Sequence, residues 1–199
     1  MKLDDLENIE FYDNSRLNFD HDLSRLNWFN IAGKTKIFLF ANSLKDLSIF
    51  LKKYKKRGKI FILGAGSNTL IRDSGINGVV IKLSSKFSDI KLLKQDTIEV
   101  GASILDRKIA DFAKNNDITG MEFLSCIPGS VGGAIIMNSG CYGDEISNIL
   151  ISIKTIDFNG NLREFKRDQI KFDNRDDLIK QMDEDKKIAK ALLEQINEL

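Results

Sequence analysis

Residues 60–68 read Ile60-Phe61-Ile62-Leu63-Gly64-Ala65-Gly66-Ser67-Asn68. Four apolar residues form a short buried strand, and two glycines flanking one small residue let the main chain turn tightly with successive N–H groups exposed. Such a nest favours anions, phosphate above all, and Ser67 and Asn68 can add side-chain hydrogen bonds. The motif is not a Walker loop, because no Gly-Lys-Ser/Thr follows. It also lacks the third glycine of the dinucleotide fingerprint, and Leu70-Ile71-Arg72-Asp73 does not clearly open a helix. Taken alone, the stretch is as readily a tight turn after a strand as a ligand loop.

The flanking sequence supplies a βαβ unit. Upstream, Ile37-Phe38-Leu39-Phe40 suits a buried strand, and Ser43 can cap a helix whose Leu44, Leu47, Phe50 and Leu51 recur at three- and four-residue spacing. A basic run from Lys52 to Lys59, read as a solvated face, leads into the strand at Ile60. A turn at Gly75 to Gly78 precedes a third strand, Val79 to Leu83. Strand, helix, strand in this order predicts that the first two strands run parallel. A second unit starts near Phe87, with a strand at Thr97 to Val100 and an amphipathic helix from Ile104 to Asn115. Ile149 to Asp157 and Asn161 to Phe165 read as a hairpin about Asn159-Gly160. Met1 to Asn27 is polar and reads as a loosely attached arm. Asp173 to Leu199, charged and without Gly or Pro, reads as one amphipathic helix.

A second glycine loop changes the weight of the first. Glu122-Phe123-Leu124-Ser125-Cys126-Ile127-Pro128-Gly129-Ser130-Val131-Gly132-Gly133-Ala134 is followed by Met137-Asn138-Ser139-Gly140. Pro128 stiffens the entry, and Gly129, Gly132 and Gly133 remove side chains where something must approach the main chain. Ser130 and Asn138 offer hydrogen bonds at the edge of that surface. The competing reading is a packing loop between strands. Two such loops in one small chain fit a large, flat, phosphate-bearing ligand, and a dinucleotide is the natural candidate.

Bulk properties exclude several classes. The chain has 199 residues, 42% hydrophobic and 30% charged, with a formal net charge of +1. That balance gives no reason to expect nucleic acid or a membrane surface as partner. No apolar stretch reaches the roughly 18 residues of a spanning helix. The acidic N-terminus, with Asp4, Asp5, Glu7 and Glu10, is unlike a signal peptide. Two cysteines, Cys126 and Cys141, stand at no metal-ligand spacing, read as small buried residues, and suit the reducing cytoplasm. His21 reads as a solvated side chain, so no metal site is expected and a histidine-dependent triad lacks its parts.

Gly64-Ala65-Gly66-Ser67-Asn68-Thr69-Leu70-Ile71, the Asp73-Ser74-Gly75 turn, Gly78-Val79-Val80-Ile81 and the block from Gly120 through Gly143 resemble the UDP-N-acetylenolpyruvoylglucosamine reductase family. The resemblance runs from about Asn27 to about Arg175. It implies an α+β, FAD-binding fold of the vanillyl-alcohol oxidase type, built of two small α/β subdomains that clamp the flavin, here followed by a C-terminal helix. The resulting division is an arm at 1–27, subdomains at 28–86 and 87–172, and the helical tail at 173–199. Gly64, Ala65, Gly66, Ser67 and Asn68, with Ile127, Pro128, Gly129, Ser130, Gly132, Gly133 and Asn138, would line the pyrophosphate and the isoalloxazine neighbourhood. The implied chemistry reduces an enolpyruvyl ether on UDP-N-acetylglucosamine to UDP-N-acetylmuramate, a cytoplasmic step of peptidoglycan synthesis, with NADPH recharging the flavin. The UDP-sugar is the implied partner; oligomeric state is left open.

The sequence departs from the family at the catalytic end. The reaction needs a cation to polarise the substrate carboxylate and an acid to protonate the adjacent carbon. The family's cation is an arginine in a Phe-x-Tyr-Arg-x-Ser stretch. Here Phe172-Asp173-Asn174-Arg175-Asp176-Asp177 stands in its place, so Arg175 matches while Asn174 and Asp177 replace the tyrosine and serine. The competing reading of Arg175 is a surface ion pair. A serine from a Gly-Gly-Ser-Thr-Phe-type loop and a late glutamate would lie beyond residue 199. The expectation is therefore a catalytically incomplete FAD domain, whether a truncation, a frameshifted frame or a remnant. The alternative is a non-catalytic flavin- or nucleotide-binding module or an inactive remnant.

Overall fold

The computed structural model describes residues 4–55 and 57–172. Its main sheet contains β1 (Arg16–Asp22), β2 (Lys34–Ala41), β3 (Ile60–Leu63) and β4 (Ile76–Leu83) in the order β1-β2-β4-β3. β2 and β3 both pair parallel with β4, so the expected parallel orientation holds, although β4 lies between them. Because β3 is the sheet edge, Phe61 and Ile62 are exposed, against the expectation of a buried strand. β2 and β4 alternate between the sheet's faces. Ile37, Leu39, Val79 and Ile81 pack on Leu47, Phe50, Leu51 and Tyr54 of α2 (Leu44–Tyr54). Phe38 and Val80 face the other way, with Leu23, Leu63 and Ile71. The Ser43 hydroxyl caps α2 by accepting the Asp46 N–H at 3.1 Å, and Lys55 ends it in a left-handed conformation at φ 50°.

The N-terminal segment is not a loose arm. It carries α1 (Asp4–Glu7) and β1, which pairs antiparallel with β2. Leu6 and Leu23 are fully buried. Polar residues at alternate positions of β1 disguised a strand whose Leu17 and Phe19 pack on the core. The buried Asp46 carboxylate ties the segment to α2, accepting N–H groups from Tyr12 at 2.8 Å, Asp13 at 3.1 Å and Ser15 at 3.3 Å. His21 is likewise not simply solvated: its ring stacks on Phe38 with centroids 4.3 Å apart.

Residues 90–166 form a second body around Ile104, Ile109, Phe123, Leu124, Val131, Ala134 and Ile146. β5 (Ile90–Lys94) pairs with β6 (Thr97–Val100) and was missed in the sequence because Leu92 and Leu93 are exposed neighbours without alternation. α3 (Asp106–Asn115) follows the expected helix. α4 (Val131–Ile136) encloses Gly132 and Gly133, which the sequence placed in a loop. Beyond the short pair β7 (Gly140–Cys141) and β8 (Asp144–Glu145), α5 (Ile146–Ile149) takes the start of the expected hairpin. That hairpin is β9 (Ser152–Ile156) with β10 (Leu162–Lys166). Its tip docks on α2, where the Ser48 hydroxyl donates to the Gly160 carbonyl at 2.7 Å. Cys126 is exposed and Cys141 half-buried, so neither is the small buried residue expected. Residues 173–199, with Arg175 and the predicted helix, lie outside the described residues.

Candidate functional site

The two glycine loops face one another. A Cβ built on Gly64 would come within 2.7 Å of the Ser130 hydroxyl, and one built on Gly129 would lie 3.8 Å from the Ser67 hydroxyl. The first loop leaves the end of β3 at the sheet edge. The second is held by a short antiparallel bridge, in which the Asp106 N–H donates to the Gly129 carbonyl at 3.2 Å and the Val131 N–H to the Ile104 carbonyl at 2.9 Å. The Gly132 N–H also donates to the Ala102 carbonyl, at 3.0 Å. Sheet edge and helix start thus present two stretches of main chain to one space.

The glycines do different work within this arrangement. Gly66 has φ +73°, and an added Cβ would collide with the Leu26 carbonyl and sit 2.8 Å from the Asn27 Cα. Its carbonyl also accepts the Trp28 N–H at 3.0 Å. Gly66 therefore packs on the N-terminal segment. Gly132 leaves room for Ala102, whose carbonyl would be 2.9 Å from a Cβ. Gly133 is different, because among the described residues a Cβ there meets only the Ser130 hydroxyl, at 3.8 Å. Nothing among the described residues requires glycine at that helical position.

The first loop keeps several main-chain donors unused. Among the described residues, the N–H groups of Ala65, Ser67 and Asn68 have no protein acceptor. Lys82, half-buried on β4, donates its ammonium to the Gly64 carbonyl and braces the loop from beneath. Burial pushes the Lys82 pKa down. The sequence reading passed over Lys82, although a lysine closing the run Val79-Val80-Ile81 was a visible signal. It also passed over Asp106, which looked like an ordinary acid at the start of a helix. Asp106 is fully buried, and among the described residues neither of its carboxylate oxygens has a hydrogen-bond partner. Burial raises its pKa to about 6.

The remaining expected residues sit at the margins. Ile127 donates its N–H to the Leu124 carbonyl at 3.3 Å and packs on the second core. Pro128 is exposed beside it. The Asn138 side-chain oxygen accepts the Ser147 N–H at 2.9 Å, which serves its own turn. Among the described residues there is no cluster of His, Cys, Asp or Glu able to hold a metal ion, and no helix long and apolar enough to cross a membrane. A separate cleft of about 570 Å³ is lined by residues including Tyr12, Asn42, Ser43 and Lys86, and by none of the glycine-loop residues.

Comparison with known proteins bears on the family and the fold. The FAD binding domain family matches residues 35–166. The UDP-N-acetylenolpyruvoylglucosamine reductase of Pelagibacter ubique is 45% identical over 181 residues, covering 91% of this chain and 60% of the relative. The Rickettsia canadensis protein of the same name is 42% identical over 156 residues, covering 78% of this chain and 52% of its own length. The chain thus spans between half and three-fifths of these relatives. Among solved structures, the Thermus caldophilus UDP-N-acetylenolpyruvylglucosamine reductase superposes with a TM-score of 0.66 at 22% identity, covering 82% of this chain and 56% of that one. 6-Hydroxy-D-nicotine oxidase from Arthrobacter nicotinovorans gives a TM-score of 0.56 at 12% identity, covering 79% and 37%. At these identities the likeness concerns the fold alone, and together with the family match over residues 35–166 it bears out the expected α+β, FAD-binding fold.

Proposed function

This chain belongs to the FAD binding domain family, and on that premise we propose that its two glycine loops hold FAD for the reduction of UDP-N-acetylglucosamine enolpyruvate. The observation that carries this reading is the meeting of the loops, with Gly64 against Ser130 and Gly129 near Ser67, beside N–H groups that lack protein acceptors. Ala65, Ser67 and Asn68 would take the diphosphate through main-chain N–H groups, as anion nests do. Lys82 donates to the carbonyl of Gly64 and so engages an acceptor in the same loop. Gly129 and Gly133 would leave room for the flavin, with Ile127, Pro128 and Ser130 at its border. Gly66 and Gly132 support the loops by packing, and Asn138 shapes the turn that follows.

FAD, when bound, carries a hydride from a donor to an acceptor, here from NADPH to the enolpyruvyl double bond. The substrate assignment rests on the relatives' names and on the sequence resemblance. Arg175 is the proposed cation for the substrate carboxylate, a permanent charge suited to a developing enolate. The setting is the cytoplasm, where the UDP-sugar and NADPH are present, and peptidoglycan synthesis is the process served. The test combines flavin uptake with product analysis. The purified chain should take up about one FAD per chain, and NADPH should bleach its flavin absorbance. A folded chain that ignores FAD overturns the proposal. UDP-N-acetylmuramate formed undiminished by Arg175→Lys would remove Arg175 from its role while leaving the flavin site intact.

A further inference from the structure

The fold brings the chain's two cysteines together. Cys126 closes a short 3-10 turn at Glu122–Cys126, and Cys141 lies on β7, which packs against that turn. Phe123 and Leu124 of the turn belong to the second core, and Cys141 packs on the same cluster. The two thiols share a side-chain hydrogen bond. Between them in sequence run residues 127–140, which hold Gly129 and the whole of α4 with Gly132 and Gly133. Both sulfurs are free, Cys126 exposed and Cys141 half-buried. Among the described residues no third His, Cys, Asp or Glu completes a metal site with them.

Their surroundings give the two sulfurs different roles. An oxidant arriving from solution meets the exposed Cys126 first. Burial, and the Cys126 thiol beside it, push the Cys141 pKa up, so Cys141 stays a thiol until a partner sulfur is offered to it. We propose that Cys126 and Cys141 form a peroxide-sensitive dithiol that closes into a disulfide across the segment holding the second glycine loop. The Cys126 thiolate attacks one oxygen of hydrogen peroxide, the O–O bond breaks, and a sulfenic acid and hydroxide form. The Cys141 sulfur then displaces hydroxide from the Cys126 sulfur, and its proton leaves with that hydroxide as water. Two thiols lose two electrons and two protons, and one peroxide becomes two waters. A thiol reductant reverses the change. In a reducing compartment such a bond is a transient sensor and not a permanent staple.

The test treats the whole folded chain with hydrogen peroxide, followed by intact mass, thiol alkylation and peptide mapping. The mass should fall by two hydrogens, and both thiols should be lost to alkylation together. A linked peptide should join Cys126 to Cys141, dithiothreitol should restore both thiols, and the far-ultraviolet dichroism should not change. A second arm adds dimedone, which traps sulfenic acid. The folded native chain should still give mainly disulfide, whereas Cys141→Ser should carry dimedone on Cys126, at least about tenfold more than the native chain does. The native chain in urea should also give mainly the dimedone adduct, because only the fold holds the second sulfur in place. That comparison uses the native chain alone, so it decides the matter even if the serine variant fails to fold. Loss of one thiol while the other stays alkylatable, cross-links only between chains, a disulfide gained only with loss of dichroism, or as much disulfide in urea as in the folded chain would each overturn the proposal.

Discussion

Replacing Gly133 with alanine separates a glycine kept for a ligand from one kept for the fold. Among the described residues the added methyl would meet only the Ser130 hydroxyl, at 3.8 Å, an ordinary van der Waals contact. Gly133 lies inside α4, where alanine is favoured over glycine by about 0.5–1 kcal/mol. The ligand-free Gly133→Ala chain should therefore be more stable by up to about 1 kcal/mol. For a chain of this size that is a rise in melting temperature of about 1–4 °C, read by thermal dichroism. On the proposed reading the same methyl would stand where the flavin packs, and FAD affinity should fall at least tenfold, roughly 1.4 kcal/mol or more. Flavin fluorescence titration measures that loss. A stabilised variant with native FAD affinity would refute the reasoning, because Gly133 would then serve neither fold nor cofactor.

Gly66→Ala should behave in the opposite way. A side chain at φ +73° that also strikes the Leu26 carbonyl should destabilise the chain by about 2 kcal/mol or more, so a variant melting like the native chain would contradict the packing described. Asp46→Asn should remove about 2–3 kcal/mol by weakening three N–H bonds to a buried charge, with increased proteolysis of residues 1–27; urea denaturation and limited digestion read both. Burial pushes the Asp46 pKa up, but the bonds from Ser15, Tyr12 and Asp13 outweigh it and hold the folded value below 3.8. This contribution is therefore complete above the unfolded pKa and lost as pH falls through the folded one. Asp106 has the reverse sign: with a folded pKa of about 6 against 3.8 unfolded, the folded state holds the extra proton between those values. Native stability relative to Asp106→Asn should decline as pH rises from about 4 to 6, by up to roughly 3 kcal/mol. Equal differences at pH 4 and pH 7 in urea melts would rule this out.

Long-range order was legible wherever apolar period and turn chemistry agreed. Ile37 to Phe40, the Ser43-capped helix and Val79 to Leu83 each carried one clear signal, and each forms the expected element. The glycine loops were legible as a pair, and they do meet in space. What escaped was set by neighbours distant in sequence. β1 looked like a polar arm because only alternate residues turn inward, and Asp46, about thirty residues away, supplies its anchor. β3 looked buried, yet its place at the sheet edge is fixed by pairing with β4 on one side only. Individual glycines could not be sorted, since whether Gly66 or Gly133 touches protein or open space depends on Leu26 and Ser130. Asp106 was invisible for the same reason: an acid at a helix start is ordinary until its carboxylate proves buried and unpartnered.

The central claim is that one flavin nucleotide lies across the two glycine loops. Amide chemical-shift mapping of the nitrogen-15-labelled chain, with and without FAD, addresses it residue by residue. The account predicts the largest shifts at the N–H groups of Ala65, Ser67 and Asn68, a second group from Gly129 to Gly133, and saturation near one FAD per chain. Shifts absent from both loops, or gathered instead around the cleft of Tyr12, Asn42 and Lys86, would contradict it.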